Sequence, residues 1–315
     1  MTVDYTVVIP TTCRESLTAV LETVLNGDGP APSAVIVVDD RRDPVAGVIF
    51  PPGVRVLRTG GRGPAAARNA GWRAANTEWV AFLDDDVLPP SDWPVALTKD
   101  LAGVPPDVAA SQARITVPLP SERRPTDWER NTAGLMVGTW ITADMAYRRA
   151  VLHQVGGFDE RFPRAYREDV ELALRVLDAG HKIVTGQRET THPVRPAGFF
   201  VSVRAQRGNA DDALMRRLHG RGWRKAVGGH PSRMHWHLLT TAAAAGAVLF
   251  GLSRRRAVAI LAGVLWAGLT AHFAGQRIAP GPRTPGEIAR MLVTSVAIPP
   301  AACWHRLRGE LRVRL

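Results

Sequence analysis

The spacing of apolar positions changes along this chain, and each change marks an element. "YTVVIP" is a β-branched run closed by Pro10 and predicts a first strand. In "SLTAVLETVLNG" Leu17, Val20, Leu21, Val24 and Leu25 recur at helical spacing, with Ser16 placed as an N-cap and Gly27 at the end. "SAVIVVDD" is an unbroken strand ending in Asp39 and Asp40, and "VRVL", 54–57, is a third strand. "GGRGPAAARNAGWRAANT" reads as a Gly-rich turn followed by a helix with Pro64 near its first position. "EWVAFLDDD" is a fourth strand. Unbroken apolar strands alternating with helices predict a parallel sheet covered on both faces. Ligands of such sheets bind beyond the carboxyl ends of the strands. Thr11, Thr12, Asp39, Asp40, Asp84, Asp85 and Asp86 are therefore expected on one rim.

Farther along, "YREDVELALRVLDAGHKIV" predicts an amphipathic helix whose apolar side is Val170, Leu172, Ala173, Leu174, Val176 and Leu177. Gly180 stops it and "HKIV" starts another strand. Glu168 and Asp169 stand at its N-terminus, where carboxylates complement the helix dipole. From about residue 233 the character changes. The runs 237–252 and 257–275 contain no Asp, Glu, Lys or Arg, and at ~1.5 Å per residue they make roughly 24 and 28 Å of helix, against a bilayer core of about 30 Å. "APGPRTPGE" links them to a last apolar segment, expected to break at "IPP". The division expected is an α/β domain over 1–205, a basic linker over 206–232, and an apolar helical hairpin with an amphipathic end over 233–315.

Composition narrows the partners. The 315 residues are 45% hydrophobic, which suits one large domain with an appendage or two domains. Forty basic residues against 29 acidic ones give a net charge of +11 and favour anionic partners. Cys13 and Cys303 provide neither a disulfide framework nor a metal-site spacing. "MTVDYTVVIP" reads as a strand rather than a signal peptide, so a cytoplasmic N-terminus is expected. In so basic a chain, three adjacent carboxylates at the end of a buried strand require compensation, and a divalent cation among Asp84, Asp85 and Asp86 supplies it.

Six signatures in order resemble those of family 2 glycosyltransferases with the GT-A fold: "VVIPTTCRESL", "IVVDD", "GPAAARNAGWRAA", "FLDDDV", "ADMAYRRAVLHQVGGFDERF" and "YREDVELALRVLDAG". The chain departs from the family at Thr12 and Cys13, where Tyr-Asn is usual, and at Asp144, where Asn is frequent. The resemblance implies a nucleotide-diphosphate sugar as donor and Mg2+ or Mn2+ held by Asp84 and Asp86, with His192 as a third ligand and Asp85 in support. It implies that Pro10, Thr11 and Arg14 lie near the nucleoside, that Asp40 contacts the base and that Arg68 lies near the nucleotide. Asp169 would be the general base that deprotonates an acceptor hydroxyl, in a single displacement with inversion. Trp140, Asp144 and Glu168 would line the acceptor or sugar pocket. The acceptor is expected to be lipid-linked or a cell-envelope polysaccharide, at the cytoplasmic face of a membrane that the C-terminal tail engages.

Two other classes fit part of the pattern. A metal-dependent nucleotidyltransferase normally opens with a Gly-rich loop after its first strand, whereas here that strand ends "IPTTCRE". A non-catalytic membrane-surface or nucleic-acid-binding protein would suit the charge. However, the basic residues are not striped with aromatics, and an acidic rim without metal repels phosphate. No nucleic-acid partner is expected.

Overall fold

The computed structural model describes residues 3–43, 48–229 and 231–314. The chain folds as two compact units, Met1–Pro118 with Ala133–Val194, and Leu119–Thr132 with Arg195–Leu315.

In chain order the first unit contributes β1 (Tyr5–Thr11), α1 (Leu17–Asn26), β2 (Ala34–Asp39), β3 (Val54–Arg58), α2 (Pro64–Ala74), β4 (Trp79–Leu83), α3 (Trp93–Leu101) and β5 (Val108–Thr116). After α4 (Asp127–Ala133) come β6 (Asp144–Arg148), α5 (Arg149–Val155), α6 (Glu168–Asp178) and β7 (Lys182–Thr191). The strands form one seven-stranded sheet in the order β3-β2-β1-β4-β6-β5-β7. β1 runs parallel to β2 and β4, β2 to β3, and β5 to β7. β6 is antiparallel to both of its neighbours. This is the mostly parallel α/β class that the sequence predicts.

The unbroken apolar runs are buried on both faces because each face carries its own core. Val7, Ile9, Val35 and Val37 pack with α1 and α3, while Val8, Ile36, Val38 and Phe82 pack with α2 and α6. Helix α2 lies so close to the sheet that a Cβ at Gly71 would meet Val8 Cγ1 at 2.2 Å. Two strands, β5 and β6, and three helices, α3, α4 and α5, escape the periodicity. β5, "VAASQARIT", has too few branched apolar residues to stand out, yet it is buried almost throughout. β6 and α3 are short segments among turn residues. Ser16 occupies the N-cap position of α1 but makes no side-chain cap.

The second unit is helical: α7 (Val201–Arg204), α8 (Gly208–His219), α9 (Trp223–Ala226), α10 (Met234–Leu252), α11 (Arg256–Ile278) and α12 (Pro285–Arg314), together with most of α4. Helices α10 and α11 run 19 and 23 residues, about 28 and 34 Å, longer than their uncharged runs because flanking residues join the helices. Both are long and apolar enough to cross a membrane, and only 11% of each apolar window is buried. The break expected at "IPP" does not occur, since α12 continues through Pro299 and Pro300. Proline removes a helical donor, but α12 is held along its length by packing on α8, α10 and α11, with Met291, Ile298 and Ala302 buried. Near the end of α11, Arg277 is buried and fully engaged: Nη2 donates to Asp127 Oδ2 at 2.7 Å, and Nη1 donates to Thr294 Oγ1 at 2.8 Å and Ser295 Oγ at 2.9 Å.

Candidate active site

The carboxyl ends of β1, β2 and β4 form the rim that the topology demands, with Thr11 in register with Asp39 and Asp84 continuing from β4. Asp85 is buried here. Its Oδ2 accepts from Thr11 Oγ1 at 2.6 Å and its Oδ1 from Arg14. Burial pushes this carboxyl up, opposed by the Thr11 hydrogen bond and the Arg14 charge. Asp85 therefore ties the end of β1 to the stretch that follows β4.

Asp86 and His192 meet across the rim. Leu88 and Thr191 form an antiparallel bridge, with Leu88 N–H donating to Thr191 O at 2.7 Å. This bridge fastens the stretch after the three carboxylates to the end of β7. The next residue, His192, is thereby carried against Asp86, with Nε2 3.8 Å from Asp86 Oδ1. The other ring nitrogen, Nδ1, lies 3.1 Å from the Pro193 carbonyl. A carbonyl only accepts, so Nδ1 is the donor in that contact and Nε2 is the ring nitrogen that faces Asp86. Carboxylate oxygens suit Mg2+ or Mn2+, and an imidazole beside them favours Mn2+ of the two. Asp84 gives only Oδ1 to Arg68, at 2.8 Å, and its side chain is 26% exposed. Among the described residues no three His, Cys, Asp or Glu side chains are already gathered around one point, so the donor set here is the facing pair with Asp84 alongside.

Arg68 does not project toward a ligand. It is buried as a bridge, with Nη2 on Asp84 and Nη1 on Glu168 Oε1, both at 2.8 Å. It thus links α2, β4 and α6. Glu168 is buried as well, and its Oε2 has no hydrogen-bond partner among the described residues. Burial, and then the Asp169 charge, push the Glu168 carboxyl up to about 7 against the pull of Arg68. Asp169 is half-buried, with Oδ1 accepting from Val170 N–H at 2.7 Å. Burial raises its pKa as well, and the Val170 hydrogen bond and Arg68 oppose the rise. Neither carboxylate caps α6 in the ordinary way. The capping position is Arg167, held at φ 78° in the left-handed region, a strained setting for a side-chain-bearing residue. The buried Tyr147 hydroxyl, without a hydrogen-bond partner among the described residues, lies near enough for the Asp169 charge to add to burial in raising its pKa.

The Arg-Asn pair of α2 has divided labour. While Arg68 grips Asp84 and Glu168, Asn69 grips "GGFDERF": Nδ2 donates to Phe158 O at 2.8 Å and Glu160 Oε1 at 2.9 Å, and Oδ1 accepts from Phe158 N–H at 2.9 Å. Gly157 must be glycine in this contact. Its φ is +74°, and a Cβ would stand 2.6 Å from Asn69 Oδ1.

Other expected residues are placed differently. Asp40 directs its carboxylate at its own protein: Oδ1 accepts from Thr59 Oγ1 at 2.6 Å and Arg62 N–H at 2.9 Å, and Oδ2 from Gly63 N–H at 2.8 Å. It organises the Gly-rich turn before α2. Asp144 is 0% exposed and offers no surface to a sugar. Arg188 Nε holds its Oδ1 at 2.9 Å, while Trp93 Nε1 at 2.7 Å and Thr190 Oγ1 at 2.5 Å hold its Oδ2. It is a core anchor joining α3, β6 and β7. Trp140 is half-buried at φ 62°, and Gln112 Oε1 accepts from its N–H and from Ile141 N–H. Pro10 and Thr11 end β1, and the exposed side of Arg14 follows. Cys13 sits at φ 58°, where Asn is far commoner than Cys. That geometry accounts for the Asn usual at this position in the family that the motifs resemble. Sequence reasoning missed Gln112, Arg188 and the bridging role of Arg68. A lone polar residue in a weak strand and an arginine in "GQRETT" carry no local signal of partners reached only through the tertiary fold.

A family model described as glycosyl transferase family 2 matches residues 6–170, just over half of the chain. The pre-mycofactocin glycosyltransferases of Mycobacterium tuberculosis strains CDC 1551 / Oshkosh and ATCC 25618 / H37Rv are each 33% identical over 200 residues, covering 57% of this chain. The chain spans about two fifths of the length of these curated relatives, 40% in each case. Among solved structures, the mannosyltransferase PcManGT from Pyrobaculum calidifontis, in complex with GDP-Man and Mn2+, is similar with a TM-score of 0.53 and 17% identity, over 99% of this chain and 86% of that one. At that identity the likeness shows the fold alone, the GT-A type of α/β sheet.

Proposed function

The chain belongs to glycosyl transferase family 2, and from that premise we propose that it transfers a sugar from a nucleotide-diphosphate donor to a hydroxyl acceptor, with a divalent cation and with inversion. The observation that carries this reading is the facing of Asp86 and His192 on the rim beside Asp84. These three residues would hold Mg2+ or Mn2+, which when bound neutralises charge on the departing diphosphate. The nucleoside end of the donor would lie by Pro10, Thr11 and Arg14. The mannosyltransferase of similar fold, solved with GDP-Man and Mn2+, supports a nucleotide sugar and a divalent cation as the pair to test first.

The chain's own groups supply the remaining chemistry. Asp169 takes the proton of the acceptor hydroxyl as the bond to the sugar forms. Its raised pKa brings a carboxylate nearer to the range in which a base is effective at neutral pH. Arg68 and Glu168 position this base by fixing the start of α6 against the end of β4. Trp140, set by Gln112, would stand on the acceptor side. A single base opposite a nucleotide leaving group supports inversion.

The division proposed is catalytic 1–205, basic 206–232 and membrane-associated 233–315. Support for the last comes from α10 and α11, whose Leu252, Ile260, Leu261 and Val264 are more than half exposed. Orientation follows from charge. The turn between the two helices carries Arg254, Arg255 and Arg256, whereas the stretch leading into α10 carries Arg216, Arg217, Arg221, Arg224, Lys225 and Arg233. The larger basic excess favours the cytoplasmic face for that end. A membrane tail in turn suits a lipid-linked or envelope acceptor.

The test is a screen of nucleotide sugars by thermal shift with and without Mn2+, followed by NMR of the product's anomeric centre. Stabilisation by one donor only with metal, and an inverted product, are expected. No metal-dependent stabilisation by any donor would remove the reading. A full-length chain that remains in the supernatant without detergent would remove the membrane part alone.

A further inference from the structure

The second unit contains a groove of about 960 Å³ that the transfer reaction does not use. Its walls come from the end of α8, the α9 turn, the first turns of α10 and the last part of α12. Five basic side chains line it, Arg216, Arg221, Arg224, Lys225 and Arg306, against one acid, Glu310. That acid is already committed: Arg216 Nη2 donates to Glu310 Oε2 at 2.6 Å and Arg306 Nε to Oε1 at 2.7 Å. Arg224 pairs with Asp212 and stacks 4.6 Å over the buried Trp223 ring. Arg221 and Lys225 are exposed and have no carboxylate partner among the described residues. The other cations of the groove are therefore paired, while Arg221 and Lys225 leave it a net positive charge.

One wall is apolar. Met234 and Leu238, from the start of α10, line the groove, and Leu238 is 55% exposed. From there the apolar surface continues along α10 through Leu239, Val248 and Leu249. A cationic pocket opening directly onto the emergence of an apolar helix matches a ligand with a phosphate at one end and hydrocarbon at the other.

We propose that this groove holds the phosphate headgroup of an anionic membrane lipid, with its acyl chains along the exposed side of α10. This rests on the membrane reading of α10 and α11. Arg221 and Lys225 supply the uncompensated charge, and Arg216 and Arg306 are presented by Glu310. Each basic residue near an anionic surface contributes about 1 kcal/mol, roughly a fivefold factor. The polynucleotide alternative lacks the hydrocarbon wall's counterpart.

The full chain, in neutral detergent, is titrated with short-chain phosphatidylglycerol, short-chain phosphatidylcholine or inorganic phosphate, and melting temperature is followed. Phosphatidylglycerol is expected to raise it saturably at concentrations where phosphatidylcholine and phosphate do not. R221Q/K225Q, both exposed and outside the catalytic rim, should raise the half-saturating concentration roughly 30-fold with no change in the lipid-free melting temperature. Equal responses to both lipids, or an unchanged midpoint in the double variant, would overturn the groove while leaving the membrane reading intact. A response to inorganic phosphate equal to that for phosphatidylglycerol would make it a simple anion site and overturn the lipid claim. A chain that fractionates without detergent removes the membrane reading itself.

Discussion

His192 Nε2 faces Asp86 Oδ1 at 3.8 Å, although three of the seven strands lie between the two residues in sequence. The Leu88–Thr191 bridge brings them together, and the Pro193 carbonyl holds Nδ1 so that Nε2 faces Asp86. If this pair is a ligand set, His192→Ala should weaken Mn2+ affinity by roughly 10-fold to 100-fold. Asp86→Ala should abolish metal-dependent nucleotide binding. Calorimetric titration of Mn2+ reads both. A His192→Ala protein that titrates like the parent removes the histidine from the site and leaves the carboxylates untouched.

Asp169→Asn keeps the shape and hydrogen-bonding surface at the start of α6 but cannot accept a proton. Donor affinity within a few-fold of the parent and transfer slower by about 10²-fold or more are expected. The acid limb of the parent's pH–rate profile should lie above the ordinary carboxylate range, because burial raises this group. Unchanged transfer would return Asp169 to a structural role.

Glu168 makes stability fall with pH. Its folded pKa, about 7, exceeds the ordinary 4.5, so between those values the folded chain holds a proton that the unfolded chain has lost. The contribution is fully present below about 4.5 and is lost as pH rises through about 7. Urea denaturation across this window should show a shallower decline for Glu168→Gln than for the parent. Equal slopes would mean that Arg68 keeps Glu168 ionised throughout.

Asp144→Asn should cost stability rather than substrate affinity. It leaves the buried Arg188 guanidinium short of a charge partner, a change worth about 3 kcal/mol. The folded fraction should bind donor with the parent's Kd. A selective loss of acceptor KM at unchanged stability would return this residue to the sugar pocket.

Cys13→Asn relieves a left-handed residue, since Asn is several-fold enriched in that region. The corresponding gain is about 1 kcal/mol, read as a higher melting temperature. A lower one would show that the thiol's packing beside Asp39 outweighs backbone strain.

The parallel half of the sheet is legible from the pattern of apolar runs alone. Strands buried on both faces, such as "AVIVV", must read as unbroken apolar runs, and the rim of acids follows from where those runs stop. The antiparallel β6 and the weak β5 are not legible in this way, because their identity comes from neighbours and not from pattern. The same limit applies at the site. Adjacent residues such as Asp84 and Asp86 announce themselves, whereas Asp144 looks identical to them in sequence. Only its burial beside Arg188, 44 residues away, reveals it as a core anchor.

The ion pair between Asp127 and Arg277 sets an order on synthesis. The two residues are 150 positions apart, so at 5–20 residues per second the aspartate leaves the ribosome roughly 8–30 s before its partner is made. Ser202, whose hydroxyl donates to Asp127 Oδ2 at 2.9 Å, is made before Arg277, whereas Thr294 and Ser295, which Arg277 also contacts, come later still. Through that interval the 119–132 segment, with most of α4, is a tethered stretch waiting for the helices that complete its unit, while the residues before it are already translated and free to collapse. Nascent chains released at 229 and at 300 would therefore differ in one measurable respect: protease should cut near Asp127 in the first and spare it in the second.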